Sequence, residues 1–234
     1  MPVSIISNVK KLTDVIISVN TRFSRLGLFL GVDAQKVKEL YRELEPFACE
    51  IAQKDQEFNG KNMLSQWLTM YSPLRGQVLY VVCRILKPKA VVETGVANGT
   101  SSAFILKALE ANESGMLYSI DLPNQPGENI PREKTSGWLV PGHLRSRWQL
   151  QLGDTRELLQ PLLERLGKVD CFFHDSDHSH KNMLFEFKTA WDHITAGGIL
   201  AADDISLNNA FSEFALSVNK TPFKVYHRFG LLRK

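Results

Sequence analysis

From residue 90 onward, short apolar runs alternate with stretches of helical periodicity, and few architectures accommodate that alternation. The runs are AVVETG (residues 90–95), LYSID (117–121), WQLQLGD (148–154), VDCFFHD (169–175) and GILAADD (198–204). Each is short and apolar, most of them β-branched or aromatic, as expected of strands covered on both faces. Between them the spacing predicts helices: one from about Thr100 to Ala111, one over TRELLQPLLERLG, and one burying Met183, Phe187, Trp191 and Ile194 that ends at Gly197-Gly198. A last helix carries Phe211, Phe214, Ala215 and Val218 on one face, and FKVYHRF with GLLRK reads as a closing hairpin pivoting on Gly230. The expectation is an α/β fold: a doubly wound, mostly parallel, seven-stranded sheet with a C-terminal antiparallel hairpin.

The N-terminal part follows a different rule. Val37, Leu40, Tyr41 and Leu44 recur at helical spacing, as do Met63, Leu64, Trp67, Leu68 and Tyr71, with polar joints such as Asn59-Gly60 around them. Residues 1–72 therefore read as a helical cap or dimerisation arm, which allows a homo-oligomer; a membrane-surface role for RFSRLGLFLG is the weaker alternative. Ser72-Pro73 supplies an N-cap followed by proline, the start of a helix through Val78, Val81, Val82 and Ile85 that stops near Pro88 and opens a domain over 73–234. A net charge of +3 with scattered Lys and Arg argues against nucleic acid or an anionic membrane as partner. The start MPVSIISNVKKLTDVIISV lacks the pattern of a secretory leader, and no later stretch approaches the ~20 apolar residues of a membrane span. A cytoplasmic protein is expected. Cys83 and Cys171 lie in apolar runs and read as buried thiols rather than bridges.

Sheets of this kind bind ligands beyond the carboxyl ends of their strands. Here those ends carry Glu93, Asp121, Asp154, Asp175 and the pair Asp203-Asp204. The first turn, ETGVANGTSS (residues 93–102), brings glycines and hydroxyls to a helix N-terminus, where free N–H groups attract an anion. Its G-x-x-x-G spacing fits neither the dinucleotide fingerprint nor a P-loop, and Glu93 would repel a pyrophosphate. A zwitterion that also carries a sulfonium suits both features.

With these motifs in this order, the chain from about Pro73 to the C-terminus resembles the class I S-adenosylmethionine-dependent methyltransferases, with their Rossmann-like sheet. The segments GWLVPGHLRSRW and HDSDHSHKNMLFEF most resemble the small-molecule O-methyltransferase branch that includes macrocin O-methyltransferase and cephalosporin hydroxylase-like proteins; catechol O-methyltransferase shares the layout. The resemblance implies that Glu93, Gly95, Ala97, Asn98, Gly99, Thr100 and Ser101 hold the methionine part, that Asp121 binds the ribose, and that Gly153 and Asp154 lie on the adenine side, with Asp175 also at the cofactor. Asp121 can equally begin a turn, and Asp154 can serve as the N-cap of the helix at Thr155.

The segment HDSDHSH (residues 174–180) is the richest in chemistry. Asp175, Asp203 and Asp204 should converge with Asp177 nearby, so either some are protonated or a cation sits among them. Oxygen donors suit Mg²⁺ or another hard divalent cation, and in metal-dependent relatives of the resembled branch the positions of Asp175, Asp203 and Asp204 hold the metal. Adjacent strand residues point oppositely, so Asp203 and Asp204 can share a cation only if the chain bends. Methyl transfer to oxygen needs an aligned hydroxyl and a base, for which His178, beside Asp175, is the candidate; the alternative is a polar contact at the helix start. His174 reads as packed behind the site, Ser179 as the N-cap and His180 as part of the first helical turn. Zinc on His174, His178 and His180 finds no thiol or distant ligand in support. In the long Pro- and Gly-rich connection before the third strand, Trp138, Leu139 and Val140 either cover the acceptor or pin the loop against the N-terminal helices. The expected activity is methyl transfer from S-adenosylmethionine to a hydroxyl of a small molecule, a sugar-bearing natural product or catechol. A metal-independent methyltransferase, an oxidative hydroxylase-like enzyme and a non-catalytic cofactor-binding scaffold are the alternatives.

Overall fold

The computed structural model describes residues 21–59, 63–123, 130–131 and 133–234, with backbone alone over 56–59 and 63–74. The first twenty residues, read above as lacking the pattern of a secretory leader, the apolar repeat Met63 to Tyr71 and part of the long connection after Pro123 thus lie outside the described side chains. The chain divides into two compact units, residues 1–43 and 44–234, so the α/β unit takes in part of the stretch that the sequence assigned to the arm.

In the first unit, α1 (residues 21–30) ends at Gly31, whose φ of 78° lets Val32 N donate to Gly27 O at 2.9 Å and close the helix. Then α2 (Ala34–Asn59) begins, with Asp33 accepting from Lys36 N. Leu26, Leu30, Val37 and Leu40 are buried, and the rings of Phe23 and Tyr41 lie 4.9 Å apart. Of the apolar residues in RFSRLGLFLG, Leu26 and Leu30 are turned inward, while Leu28 is exposed.

The second unit holds the rest of α2, α3 (Met63–Leu86) and a seven-stranded sheet. In chain order follow β1 (Ala90–Thr94), α4 (Thr100–Ala111), β2 (Met116–Asp121), a 3₁₀ turn (Gly142–Arg147), β3 (Trp148–Leu152), α5 (Thr155–Leu166), β4 (Val169–His174), α6 (His180–Trp191), β5 (Ile194–Ala202), α7 (Ala210–Ser217), β6 (Phe223–Tyr226) and β7 (Phe229–Arg233). The strand order is β3-β2-β1-β4-β5-β7-β6, parallel from β1 to β5 and antiparallel at β7. The winding reverses between β1 and β4, so the crevice beyond their carboxyl ends is where a ligand fits. One core face packs Phe172, Leu200 and Leu232 of the sheet against Met183 and Phe187 of α6 and Phe211 and Phe214 of α7.

Three local expectations are corrected. One helix runs from Met63 to Leu86, so Ser72-Pro73 lies inside it and starts nothing. Helix α6 stops at Trp191 and Ile194 opens β5 opposite Val169; a register shift before Cys171↔Ile199 absorbs Gly197-Gly198 within the strand. Gly230 lies within β7, paired with Ala202 and Lys224, not at the turn, and a Cβ there would come within 2.5 Å of the Phe211 ring. Cys83 and Cys171 are buried free thiols, as read from the sequence. No described helix is long and apolar enough to cross a membrane.

Candidate active site

The turn after β1 is built on two glycines in the left-handed region. Gly95 has φ 82°, and a Cβ on it would lie 2.0 Å from the carbonyl oxygen of Asp175, so the tips of β1 and β4 touch only because the side chain is absent. Gly99, φ 86°, opens α4 without a side-chain cap and packs on Gly137. Asp121, at the tip of β2, holds the turn from the other side by accepting from Val96 N and Ala97 N at 3.2 Å each. Gly95, Val96, Ala97 and Asp121, together with Asp154 and Asp175, line a cleft of ≈ 740 Å³.

Glu93 lies beneath this cleft and is not in its wall. Its carboxylate is fully buried and accepts from the hydroxyls of Ser101 (2.6 Å), Ser102 (2.6 Å) and Ser119 (2.7 Å). Burial pushes its pKa up to about 7 even though the three hydroxyls pull the other way. Glu93 and Ser101 therefore brace the glycine turn from below, while Gly95, Ala97, Asp121, Asp154 and Asp175 line the cleft. Asp154 caps α5 through Arg156 N at 2.8 Å and pairs with the Arg156 side chain, so the bland role expected for it is present and compatible with its place in the cleft. Gly153 N donates to Asp121 O at 2.8 Å, tying the tips of β2 and β3. Asn98 accepts from Trp138 Nε1 at 2.7 Å, while Gly137 N and Leu139 N donate to the carbonyls of Ala97 and Asn98. The 137–140 loop is thus fastened onto the glycine turn, with Leu139 and Val140 buried.

Asp175 belongs to two neighbourhoods. Besides lining the cleft, its Oδ1 lies 3.7 Å from His178 Nε2 and 3.4 Å from Arg75 Nη1. His178 Nε2 is also 3.6 Å from Asp204 Oδ2. The two histidine separations are Coulombic distances, too long for hydrogen bonds, whereas Arg75 Nη1 donates to Asp175 Oδ1. Burial lowers the pKa of His178 below its ordinary value, and burial raises that of Asp175 against the pull of Arg75 and His178. Asp203 and Asp204 diverge: Asp203 is paired with Arg75, and Asp204, at φ 52°, turns to Arg228. Burial opposes ionisation of Asp204, but bonding to Arg228 holds its pKa below the ordinary value.

Among the described residues, the donor atoms brought within 4.8 Å of one another are those of Asp175, His178 and Asp203, while Asp204 of the expected set faces Arg228. The bend at Asp204 is real, but it delivers that carboxylate to a guanidinium. Two carboxylates and an imidazole fit a divalent cation, and Asp203 Oδ1 is buried with no partner.

Behind the cluster stands a buried network that the sequence reading did not find. Glu186 of α6 accepts from Thr94 Oγ1 (2.5 Å), Ser176 Oγ (2.6 Å) and Asn182 Nδ2 (3.1 Å), and pairs with His174 Nδ1 at 2.7 Å. Burial opposes its charge, yet the bonds from His174, Ser176 and Thr94 hold its pKa below the ordinary value. Asn182 and Glu186, four residues apart beside the buried Met183 and Phe187, were the available signal: a polar pair on an apolar helix face. His174 is packed as expected, Ser179 caps α6 through Asn182 N, and His180 pairs with Glu213 at the surface. Arg75 and Arg228 had no local signal at all.

The profile of a methyltransferase-domain family matches residues 92–205, which run from β1 to just past Asp204. Over these residues the chain is similar to methyltransferase domains. Its fold is the Rossmann-like class I methyltransferase fold that the motifs implied. Solved structures with this fold include the methyltransferase PaMTH1 of Podospora anserina bound to S-adenosylhomocysteine (16% identity, 80% of this chain and 86% of that one, TM-score 0.57). The O-methyltransferase TomG of Streptomyces achromogenes, involved in tomaymycin synthesis and solved with S-adenosylmethionine, aligns at 18% identity over 80% and 87% with TM-score 0.55. The calicheamicin methyltransferase CalS11 aligns at 17% identity over 79% and 91% with TM-score 0.52. No curated protein matches the sequence.

Proposed function

We propose that this chain transfers the methyl group of S-adenosylmethionine to a hydroxyl of a small molecule, a sugar-bearing natural product or a catechol. The observation that carries the reading is the double membership of Asp175, which joins the cleft under the glycine turn to His178. The sulfonium is already a good leaving group, so the protein's work is to align the acceptor oxygen and remove its proton. His178 suits the second task. Its lowered pKa keeps the imidazole neutral near pH 7, its Nδ1 is buried, and Nε2 faces Asp175 and Asp204, whose charges stabilise the imidazolium formed on proton uptake. The names of TomG and CalS11 add a small-molecule precedent within the same fold.

A metal-assisted variant is the second reading, favoured by the donor cluster. Asp175, His178 and Asp203 would hold a hard divalent cation such as Mg²⁺, which when bound lowers the pKa of an acceptor hydroxyl.

The test of the cofactor is a thermal-shift titration. At a concentration of about one hundred times Kd, S-adenosylmethionine or S-adenosylhomocysteine stabilises by about 2.7 kcal/mol, a rise of about 5–10 °C in Tm. Asp121→Ala should remove it. A wild-type chain whose Tm ignores both nucleosides would refute the reading, and methyl transfer unchanged in His178→Gln would refute the base.

A further inference from the structure

The geometry points to Arg75 as a built-in cation that occupies the place of a divalent metal in the acidic cluster. Asp175, Asp203 and Asp204 gather at the tips of β4 and β5, and the described chain brings two guanidinium groups to them. Arg228 takes Asp204, while one nitrogen of Arg75 bridges Asp203 Oδ2 and Asp175 Oδ1. Two of the three residues able to surround a metal ion are therefore already on a guanidinium. Three carboxyl groups thus face two guanidinium groups, so the chain itself supplies cations to the cluster.

Arg75 is placed there by packing. The next residue, Gly76, sits so close to the Phe104 ring that a Cβ would come within 2.3 Å of it, which fixes α3 against α4 with Arg75 over the strand tips. Glycine inside a helix is unfavourable, and here it is the residue that the contact requires. An arginine cannot yield to a metal by losing its proton, since guanidinium stays charged at any ordinary pH. A divalent ion entering with Arg75 in place would lie within a few ångström of a like charge. It can bind only if the side chain swings out, and then it finds Asp203 Oδ1, buried and without a partner, beside Asp175 and His178.

The inference rests on the cluster alone and stands whichever group accepts the methyl. It counts against the metal-assisted reading and leaves methyl transfer through His178 intact. The test is direct Mn²⁺ binding, read as loss of the free-ion electron paramagnetic resonance signal in a titration that involves no turnover. Wild type and Arg75→Lys should leave the signal unchanged at concentrations where Arg75→Ala takes up one Mn²⁺ per chain, at least tenfold tighter, and Asp203→Asn in the alanine background should abolish the uptake. Arg75→Gln replaces the alanine variant if circular dichroism shows the latter unfolded. Stoichiometric Mn²⁺ uptake by the wild-type chain, lost on Asp203→Asn, overturns the proposal, as does a folded Arg75→Ala or Arg75→Gln chain that takes up none.

Discussion

Replacing Glu186 by leucine tests whether the buried network behind the cluster holds the site together. The change removes the acceptor for Thr94, Ser176 and Asn182 and the partner of His174, all at the meeting of β1, β4 and α6. Each charge-assisted bond is worth about 1.5–3 kcal/mol net, but four donors share two oxygens and the values do not add. Breaking a buried ionic pair from one side typically costs about 3–5 kcal/mol, because the abandoned polar groups stay desolvated. The leucine side chain recovers some apolar burial, so the expected loss is about 3–4 kcal/mol, or roughly 6–16 °C in Tm for a chain of this size. The carboxyl of Glu186 is held below its ordinary 4.5, so its contribution is present above that pH and disappears as the pH falls through the lower folded value. The gap between wild type and Glu186→Leu in urea denaturation should therefore be full at pH 7 and close at strongly acid pH. A variant within about 1 kcal/mol of wild type at pH 7 would refute the reasoning: the desolvation of Glu186 would then cancel what its bonds contribute.

Glu93 has the opposite sign. Its carboxyl binds a proton in the folded chain up to about pH 7 but only to about 4.5 when unfolded, so it withdraws stability as the pH rises through that window, by about 3 kcal/mol in all. Glu93→Gln should flatten this part of the Tm-against-pH curve between pH 4.5 and 8, and an unaltered slope would contradict the assignment. Gly95→Ala should abolish the thermal shift by S-adenosylhomocysteine, since the new Cβ would meet the Asp175 carbonyl at 2.0 Å in a left-handed backbone, whereas Gly142→Ala, with nothing within 4 Å, should bind as wild type. Equal nucleoside binding by both variants would show that the β1–β4 contact does not shape the cleft.

The parts of this protein that follow from short-range rules were legible in its residues. Alternating apolar runs and helical spacing specify strands and helices, because burial of one face depends on neighbours within a few positions. Ser179 and Asp154 cap their helices because a side-chain oxygen reaches an N–H two or three residues on. The glycine turn and the acidic strand tips marked the site for the same reason. Where two readings differed only in tertiary context, the residues did not choose: Ile194 suits a buried helix face or a strand start, and pairing with Val169 decides it.

Electrostatic partnership was settled only by the fold. Arg75 lies one hundred residues before Asp175, Glu186 ninety-two after Thr94, and neither pair leaves a mark in local sequence. Asp203 and Asp204 are neighbours in the chain, yet a left-handed φ at the second sends them to different guanidinium groups. Which residues would surround a cation, and whether the chain supplies its own, depends on strand order and on how closely α3 approaches α4. Charges interact through space, and the sheet alone decides which of them are near.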